Sequence, residues 1–178
     1  MAYNEIQTAP SYDGVARALH WLTAILIVAQ FIIGWVMPDI NHDTKVEGAV
    51  WWHMLVGGAL LLTIFIRVVW RLSHTPPPDN LTPWLRLTSR STHFLLYAAL
   101  IATPLLGWAN ASSRGWVVRI ANLIPLPALT ATGSTLGHAM GDVHGIMAWV
   151  LLGLIILHIC AALFHHFVLK DNVMKRMM

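Results

Sequence analysis

The residues 143–169 read VHGIMAWVLLGLIILHICAALFHHFVL and contain no Asp, Glu, Lys or Arg. As a helix rising about 1.5 Å per residue, this stretch is long enough to cross the ~30 Å hydrocarbon core of a bilayer. A helix in a soluble protein would carry polar residues at every third or fourth position, and this stretch does not follow that pattern. It therefore predicts a transmembrane helix.

Three more stretches, 18–38, 48–66 and 91–113, share this property, and all the charged residues of the chain lie outside the four. Charged residues make up 11% of the chain, against about 25% in a typical soluble domain. We therefore predict an all-α membrane protein, a four-transmembrane-helix bundle that forms a single domain over residues 1–178. The predicted helices are about 17–37, 50–72, 91–110 and 142–169.

Two other segments of low charge are interpreted differently. The stretch 120–141 contains Pro125, Pro127 and a run of small polar residues, so we expect a loop there. Residues 1–16 are polar and have no basic start, so we expect the first apolar run to be a retained helix and not a signal peptide.

The distribution of basic residues predicts that both termini are cytoplasmic. In that orientation the cytoplasmic side carries eight Lys and Arg residues and the opposite side carries three, an asymmetry typical of membrane proteins. The eight are Arg17, Arg67, Arg71, Arg86, Arg90, Lys170, Lys175 and Arg176, and the three are Lys45, Arg114 and Arg119.

The chain contains ten histidines, and several lie within the apolar stretches, where a polar ring is costly and indicates a functional site. His144 and His158 are 14 residues apart on the fourth predicted helix. Fourteen steps of 100° return to within about 40° of the start, so the two rings face the same way, about 21 Å apart along the axis. This spacing predicts two sites stacked across one membrane.

The depth of the other histidines predicts how they pair. His20 lies near the cytoplasmic end of the first predicted helix, and His158 lies toward the cytoplasmic end of the fourth. His53 opens the second helix on the opposite side, where His144 also lies. We therefore predict two pairs, His20 with His158 and His53 with His144.

Two neutral imidazoles that face each other across a gap suit a low-spin haem iron with two axial ligands, so the four paired histidines are predicted haem ligands. Such an iron has no open position for substrate, and the site is expected to transfer electrons and not to bind O₂. The chain has no Cys-x-x-Cys-His motif, which excludes thioether-attached haem. A zinc site is the alternative, but it would require three or four ligands at one depth.

The same 14-residue interval relates complementary residues on the other helices. Gly34 lies 14 residues after His20 and would leave room for a flat macrocycle held by His53 and His144. Arg67 lies 14 residues after His53 and is expected to pair with haem propionates. The alternative for Gly34 is ordinary close packing of membrane helices, and the alternative for Arg67 is a positively charged anchor on the cytoplasmic side. Three further glycines flank the outer ligands and have the same two interpretations: Gly57, Gly58 and Gly145.

These motifs resemble the bacterial cytochrome b561 family, which is related to the cytochrome b subunits of hydrogenases and formate dehydrogenases. The matching segments are Arg17-Ala-Leu-His20-Trp21, Trp52-His53 with Gly57-Gly58, Arg67-Val-Val-Trp-Arg71, Pro76-Pro77-Pro78, Thr92-His93, His144-Gly145, and Leu157-His158 continuing through Ala161-Ala162-Leu163-Phe164-His165-His166 to Lys170-Asp171-Asn172. The resemblance covers about residues 11–178, and its last segment is the most specific.

The chain looks like the stand-alone, single-domain members of that family, among them superoxide oxidase. The resemblance implies a multi-pass protein of the bacterial inner membrane that holds two haem b groups and exchanges electrons with quinone. For superoxide oxidase members it further implies that superoxide outside is oxidised to O₂ and that the electron reduces ubiquinone. The expected partners are lipid, quinone, and superoxide or a periplasmic electron donor, and no nucleic acid.

The remaining histidines and basic residues have supporting or neutral interpretations. His165 lies seven residues after His158 and is the alternative partner of His20, but the haems would then stand about 31 Å apart, the full thickness of the core. His166 is expected to point elsewhere. Five residues are expected to contact haem propionates or quinone: Arg67, Arg71, His93, His165 and Lys170. Three histidines are expected to be solvated loop residues: His42, His74 and His138.

The three outer cations Lys45, Arg114 and Arg119 are expected to steer anionic superoxide to the outer haem edge. Ordinary loop charge is the alternative, since four acidic residues share that side: Asp39, Asp43, Glu47 and Asp142. Two other functions are left open by the sequence. One is a membrane cytochrome b that anchors or relays electrons for a partner dehydrogenase or a periplasmic redox protein. The other is a metal or proton transporter that uses the histidines as a relay.

Overall fold

The computed structural model describes residues 11–41, 43–78 and 81–178, and most of these residues form four long helices. The helices are α1 (Gly14–Val36), α2 (Gly48–Ser73), α3 (Pro83–Ser113) and α4 (Thr135–Phe164). Each is long and apolar enough to cross a bilayer. The predicted all-α, four-helix membrane bundle is therefore confirmed. His42 lies outside the described residues.

Short elements join and extend the helices. β1 (Arg119–Ile120) and β2 (Ile124–Pro125) form an antiparallel hairpin between α3 and α4. A π-helical turn, His165–Leu169, continues α4, and a 3₁₀ turn, Met174–Met177, lies near the C-terminus. We call the end of the bundle with the start of α1 and the end of α4 the terminal end, and the opposite end the hairpin end.

The third helix is longer than its apolar stretch. α3 begins at Pro83 and not at about residue 91, because proline is favoured in the first turn of a helix, where its missing N–H is not needed. Arg86 and Arg90 lie in this added segment. Charged residues limit the part of a helix that can lie in hydrocarbon, but the helix itself can continue through them, as α3 does.

The loop predicted for residues 120–141 is shorter than expected. α4 begins at Thr135, and the hydroxyl of Ser134 accepts a hydrogen bond from the Gly137 N–H at 3.1 Å, an N-cap contact. The loop prediction is therefore wrong beyond Ser134. Asp142, which bounded the apolar stretch, lies inside the helix.

The start of α1 is tied to the end of α2. The Asp13 carboxylate accepts a hydrogen bond from the Ala16 N–H at 2.9 Å and from the Trp70 indole at 3.2 Å. These two donors hold the pKa of the Asp13 carboxyl below its usual range, and the Ala16 N–H has the larger effect. The contact fixes the depth of α1 relative to α2.

The bundle packs around a small apolar centre and presents large apolar side chains outward. The buried core consists of Leu60, Ile64, Ala99, Leu100 and Leu151, from α2, α3 and α4. Outward side chains such as those of Ile25, Phe65 and Trp149 are 64%, 65% and 66% exposed. Such a surface is unfavourable in water and suits contact with lipid.

The antiparallel register of α1 and α2 decides which side chains meet. At the terminal end His20 lies beside Arg67, and at the hairpin end a Cβ on Gly34 would lie 3.8 Å from the His53 ring. The register of α3 and α4 brings Gly107 against His144, where a Cβ would lie 3.0 Å from Nδ1. The helix pairs thus place one histidine pair at each end.

Candidate functional site

At the hairpin end, His53 of α2 and His144 of α4 face each other. Their ring centroids are 5.9 Å apart and the ring planes are almost perpendicular, at 84°. The Nδ1 of His144 lies 2.8 Å from the carbonyl oxygen of Thr103 on α3, which can only accept a hydrogen bond. The proton is therefore on Nδ1, and the Nε2 lone pair of His144 is available to a metal.

Two cavities adjoin the His53–His144 pair. Their volumes are about 310 Å³ and 240 Å³, and both are lined by Gln30, Met37, His53, Pro104 and His144. Gly145 lines the smaller one, and nothing lies within 4 Å of where its Cβ would be. The pair therefore adjoins a largely apolar space, which fits the site of an apolar macrocycle.

At the terminal end, His20 of α1 and His158 of α4 form the second pair. Their ring centroids are 6.3 Å apart with an interplanar angle of 67°. His93 of α3 lies on the other side of His158, with centroids 5.4 Å apart. The Nδ1 of His93 donates to the Ser89 carbonyl at 2.7 Å, which fixes its tautomer. Three helices thus contribute a row of imidazoles.

A guanidinium lies against the terminal-end pair. Arg67 Nη2 is 2.9 Å from Nδ1 of His20, and the Arg67 guanidinium stacks 5.5 Å over the Tyr97 ring. Trp21 packs edge-on to His20 with centroids 5.5 Å apart. A guanidinium only donates hydrogen bonds, so His20 accepts through Nδ1 in this arrangement.

The spacing of both pairs fits two imidazoles on one haem iron. With metal–nitrogen bonds of about 2 Å and about 1 Å from each nitrogen to its ring centre, opposed imidazoles have centroids about 6 Å apart. The 14 residues between His144 and His158 correspond to about 21 Å along α4. Within the described residues, no three His, Cys, Asp or Glu side chains converge as ligands of a metal ion.

The larger cavity reaches the hairpin-end surface beside Arg114. The Arg114 guanidinium donates hydrogen bonds to the Asn110 side-chain oxygen and to the Asn41 carbonyl, both at 3.1 Å. It also lies 5.6 Å from the centre of the Trp116 ring. Asp142 also lines this cavity. The other two predicted outer cations, Lys45 and Arg119, are exposed and do not line it.

Comparison with known proteins identifies the kind of cofactor. The sequence profile of prokaryotic cytochrome b561 matches residues 11–178. The chain belongs to that family. It is 31% identical to “Cytochrome b561 homolog 2” of Escherichia coli over 96% of this chain and 93% of the relative. It is 29% identical to “Probable superoxide oxidase CybB” of Yersinia pestis over 94% of this chain and 95% of the relative.

Membership of the cytochrome b561 family makes the chain a multi-pass bacterial membrane protein that binds haem b and transfers electrons. A third relative, “Cytochrome b562” of Cereibacter sphaeroides, is 27% identical over 95% of this chain and 96% of its own length. The resemblance stated from the motifs is confirmed.

The predicted supporting residues divide into two groups. Arg67 and His93 contact the terminal-end pair. The other three lie at the same end of the bundle in different contacts. Arg71 stacks 5.9 Å from the Tyr12 ring, His165 pairs with Asp171 at 2.5 Å, and Lys170 has a left-handed backbone with φ of 53°.

The predicted glycines serve different neighbours. Gly34 lines the smaller cavity, and a Cβ there would lie in ordinary van der Waals contact with the His53 ring, at 3.8 Å; its predicted role beside a macrocycle is still a prediction. Gly57 instead leaves room for the Gln30 amide, and Gly58 for the Arg119 carbonyl oxygen, which would be 2.9 Å from its Cβ. The hairpin between α3 and α4 therefore packs down against α2.

Two of the predicted loop histidines lie in helix-end structure. His138 lies within α4, shares a 3.0 Å hydrogen bond with the Ser113 hydroxyl and lines the larger cavity, so the loop prediction for it is wrong. His74 is the C-cap residue that follows α2, and its ring stacks on Trp70 with centroids 3.8 Å apart. His166 packs edge-on to Phe167, with an interplanar angle of 75°.

Gln30, Thr103 and Gly107 belong to the site but were not predicted from the sequence. Gln30 and Asn110 are the only amide side chains in the four uncharged stretches, so the signal for Gln30 was present. Gly107 and Thr103 carry no such signal, because a backbone carbonyl and a missing side chain become site features only once α3 is packed against α4. They are found from the structure alone.

Proposed function

We propose that the chain is a di-haem membrane cytochrome that carries electrons from a donor at the hairpin end to quinone at the terminal end. The observation that carries this proposal is the pair of opposed imidazoles at each end, with centroids 5.9 Å and 6.3 Å apart. Haem b held by two imidazoles supplies one-electron transfer and leaves no coordination position for substrate.

In this proposal each histidine ligand would bind iron through one ring nitrogen and hydrogen-bond to the protein through the other. His144 offers Nε2 to the iron because its Nδ1–H donates to the Thr103 carbonyl. His20 differs, since its Nδ1 accepts from Arg67. If His20 held haem through Nε2, its Nδ1 would carry the proton and Arg67 would need another acceptor. A haem propionate would be such an acceptor, in agreement with the role proposed for Arg67.

We assign the terminal end to the cytoplasm and the protein to the inner membrane. This assignment is supported by the unequal distribution of Lys and Arg, eight against three. Arg67 and Arg71 lie near that end of α2, whereas Arg114 and Arg119 lie at the hairpin end. In this orientation the larger cavity opens to the periplasm.

The proposed donor is superoxide, and the proposed acceptor is ubiquinone. Two superoxide ions each give one electron and become O₂, and ubiquinone takes two electrons and two protons to become ubiquinol. Arg114, held on the wall of the larger cavity, favours entry of a small anion. At the other end, His93 and the hydrogen-bonded pair His165 and Asp171 are polar groups on the side from which ubiquinone takes its protons.

The proposal has a two-part test on the purified protein in detergent or nanodiscs. A pyridine haemochrome assay should find two haem b groups per chain, extractable by acidic acetone. Stopped-flow mixing with superoxide should then reduce the haem, and ubiquinone should reoxidise it. One haem per chain contradicts the two-site assignment. Two haems that superoxide does not reduce contradict the donor and favour a relay for a partner protein.

A further inference from the structure

Two buried polar atoms at the hairpin-end site have no hydrogen-bond partner among the described residues: Oε1 of Gln30 and Nδ1 of His53. One is an acceptor and the other becomes a donor when His53 binds a metal through Nε2. Burying either atom unpaired in an apolar environment is costly. Both residues line both cavities of the site.

The helix register brings these two side chains within reach of each other. Gly34 of α1 lies against His53, where its Cβ would be 3.9 Å from Nδ1. Gln30 precedes Gly34 by one helical turn and lies against Gly57, one turn after His53. A glutamine side chain spans about 5 Å, roughly one helical turn. A Cβ on Gly57 would lie 3.0 Å from the Gln30 amide nitrogen, so the glycine gives the amide its space.

Gln30 has little competition as the acceptor for His53. Five residues line both cavities, and Gln30 is the one among them whose side chain contains an oxygen. The Thr103 carbonyl already accepts from His144. His144 therefore has an acceptor for its Nδ1–H, whereas His53 still lacks one.

We propose that Gln30 is a positioning residue for the haem between His53 and His144, called the outer haem below: its Oε1 accepts a hydrogen bond from Nδ1–H of His53 and so holds Nε2 toward the iron. This inference rests on the proposed haem between His53 and His144. Gln30 then does for His53 what the Thr103 carbonyl does for His144. Both imidazoles are fixed in one tautomer by oxygen acceptors inside the membrane.

The hydrogen bond has an electrochemical consequence. An acceptor at Nδ1–H makes the imidazole a stronger electron donor to iron, which stabilises the ferric state and lowers the midpoint potential. Removal of the Gln30 oxygen should therefore raise the potential of the outer haem. The haem proposed between His20 and His158, the inner haem, should not respond and would serve as an internal reference, because His158 lies about 21 Å from His144 along α4.

The test is a spectroelectrochemical titration of the holoprotein with three variants. Gln30→Leu removes the amide, and Gln30→Asn keeps an amide that is too short to reach. Both should favour reduction of the outer haem by about tenfold, a shift of ~59 mV for one electron. Gln30→Glu keeps the length and an acceptor oxygen, and the potential should stay at or below that of the unaltered protein. The electron paramagnetic resonance signal of the outer ferric haem should shift in the Leu and Asn variants alone.

The outcomes separate this inference from the proposal beneath it. Two bound haems with an outer potential unchanged in Gln30→Leu overturn the role of Gln30 and leave the haem assignment standing. An equal shift of both haems also overturns it, because a general effect on the bundle would explain that result. If Gln30→Asn leaves the outer haem potential unchanged, the hydrogen bond is overturned as the cause, and the polarity of the amide would explain the effect of Gln30→Leu. Failure of the unaltered protein to bind haem at His53 and His144 contradicts the proposed function itself.

Discussion

The His53–His144 pair lies in a cavity lined mostly by glycine and apolar side chains, whereas the His20–His158 pair is surrounded by Arg67, His93 and aromatic rings. The centroid distances differ by less than half an ångström, 5.9 Å against 6.3 Å. Similar ligand geometry is therefore placed in two electrostatic environments. In the proposed di-haem protein, this difference is what would set the direction of electron flow.

The environments imply an order of potentials. A haem near a fixed positive charge is easier to reduce, because reduction removes one unit of positive charge from the iron. Arg67 lies 2.9 Å from the His20 ring of the terminal-end pair. At the hairpin end, Arg114 of the larger cavity is held by Asn110 and Asn41, and Asp142 on the same cavity wall offsets its charge. We therefore expect the terminal-end haem to have the higher potential, so that electrons move toward the proposed quinone.

The largest effects should come from the four ligands themselves. His20→Ala and His158→Ala should abolish one and the same spectral component of the haems. His53→Ala and His144→Ala should abolish the other, because each iron loses one of its two ligands. Optical spectra of the purified variants at equal protein concentration make the comparison, with His166→Ala as a control that keeps both components. Loss of a common component by His20 and His144 variants would overturn the pairing.

Gly107 should be the next most sensitive position, and only at the hairpin end. A Cβ there would lie 3.0 Å and 3.1 Å from the His144 ring, which the Thr103 carbonyl also holds. Overpacking of this kind costs about 1–3 kcal/mol, so Gly107→Ala should weaken outer haem binding about tenfold or more. Nothing lies within 4 Å of a Cβ at Gly153, and Gly153→Ala is the matched control. Haem occupancy during detergent dilution measures the difference, and equal loss in both variants would contradict it.

Arg67 should affect the terminal-end haem alone. Arg67→Leu removes the positive charge beside His20 and should disfavour reduction of that haem by about tenfold, ~59 mV for one electron. Arg71 lies on the same helix but stacks on Tyr12, away from the pair, so Arg71→Leu should change the potential less. Redox titration of both variants decides the matter. A larger shift in the Arg71 variant would contradict the assignment of Arg67 to the haem.

The sequence predicted the parts of the bundle that depend on long-range composition and period. The four apolar stretches follow from the cost of charge in hydrocarbon, and the pairing of His20 with His158 and of His53 with His144 follows from helix direction and depth. The structure brings these rings together. Their role as haem ligands is still a prediction. The start of α3 at Pro83 was missed because its first turns carry charge and lie outside the apolar stretch.

Features that arise from packing were beyond the sequence. The carbonyl of Thr103 and the missing side chain of Gly107 take part only because α3 presses against α4 at that depth. The selection of Arg114 among three outer cations depends on a loop whose path no periodicity encodes. Residue spacing predicts which face of a helix a side chain occupies and how deep it lies in the membrane. Contacts made by loops can be identified only from the folded structure.

The smallest of these effects should distinguish Arg114 from Arg119. Both are hairpin-end cations, but Arg114 lines the cavity beside His53 and His144, and Arg119 does not. Coulomb attraction falls with distance and is screened over roughly 8 Å at physiological salt, so the nearer charge matters more. Arg114→Gln should slow haem reduction by superoxide severalfold at low salt, and Arg119→Gln should do so less. Asp142→Asn, which removes a negative charge from the same cavity wall, should raise the rate.

Stopped-flow rates at several ionic strengths test this order, with haem content measured in each variant. The salt dependence should weaken in the Arg114 variant and persist in the Arg119 variant, because steering by the removed charge is what salt screens. Reduction by a quinol from the opposite end should be unchanged in all three variants. Equal rates for the Arg114 and Arg119 variants at every salt concentration would show that the cavity wall does not guide the anion.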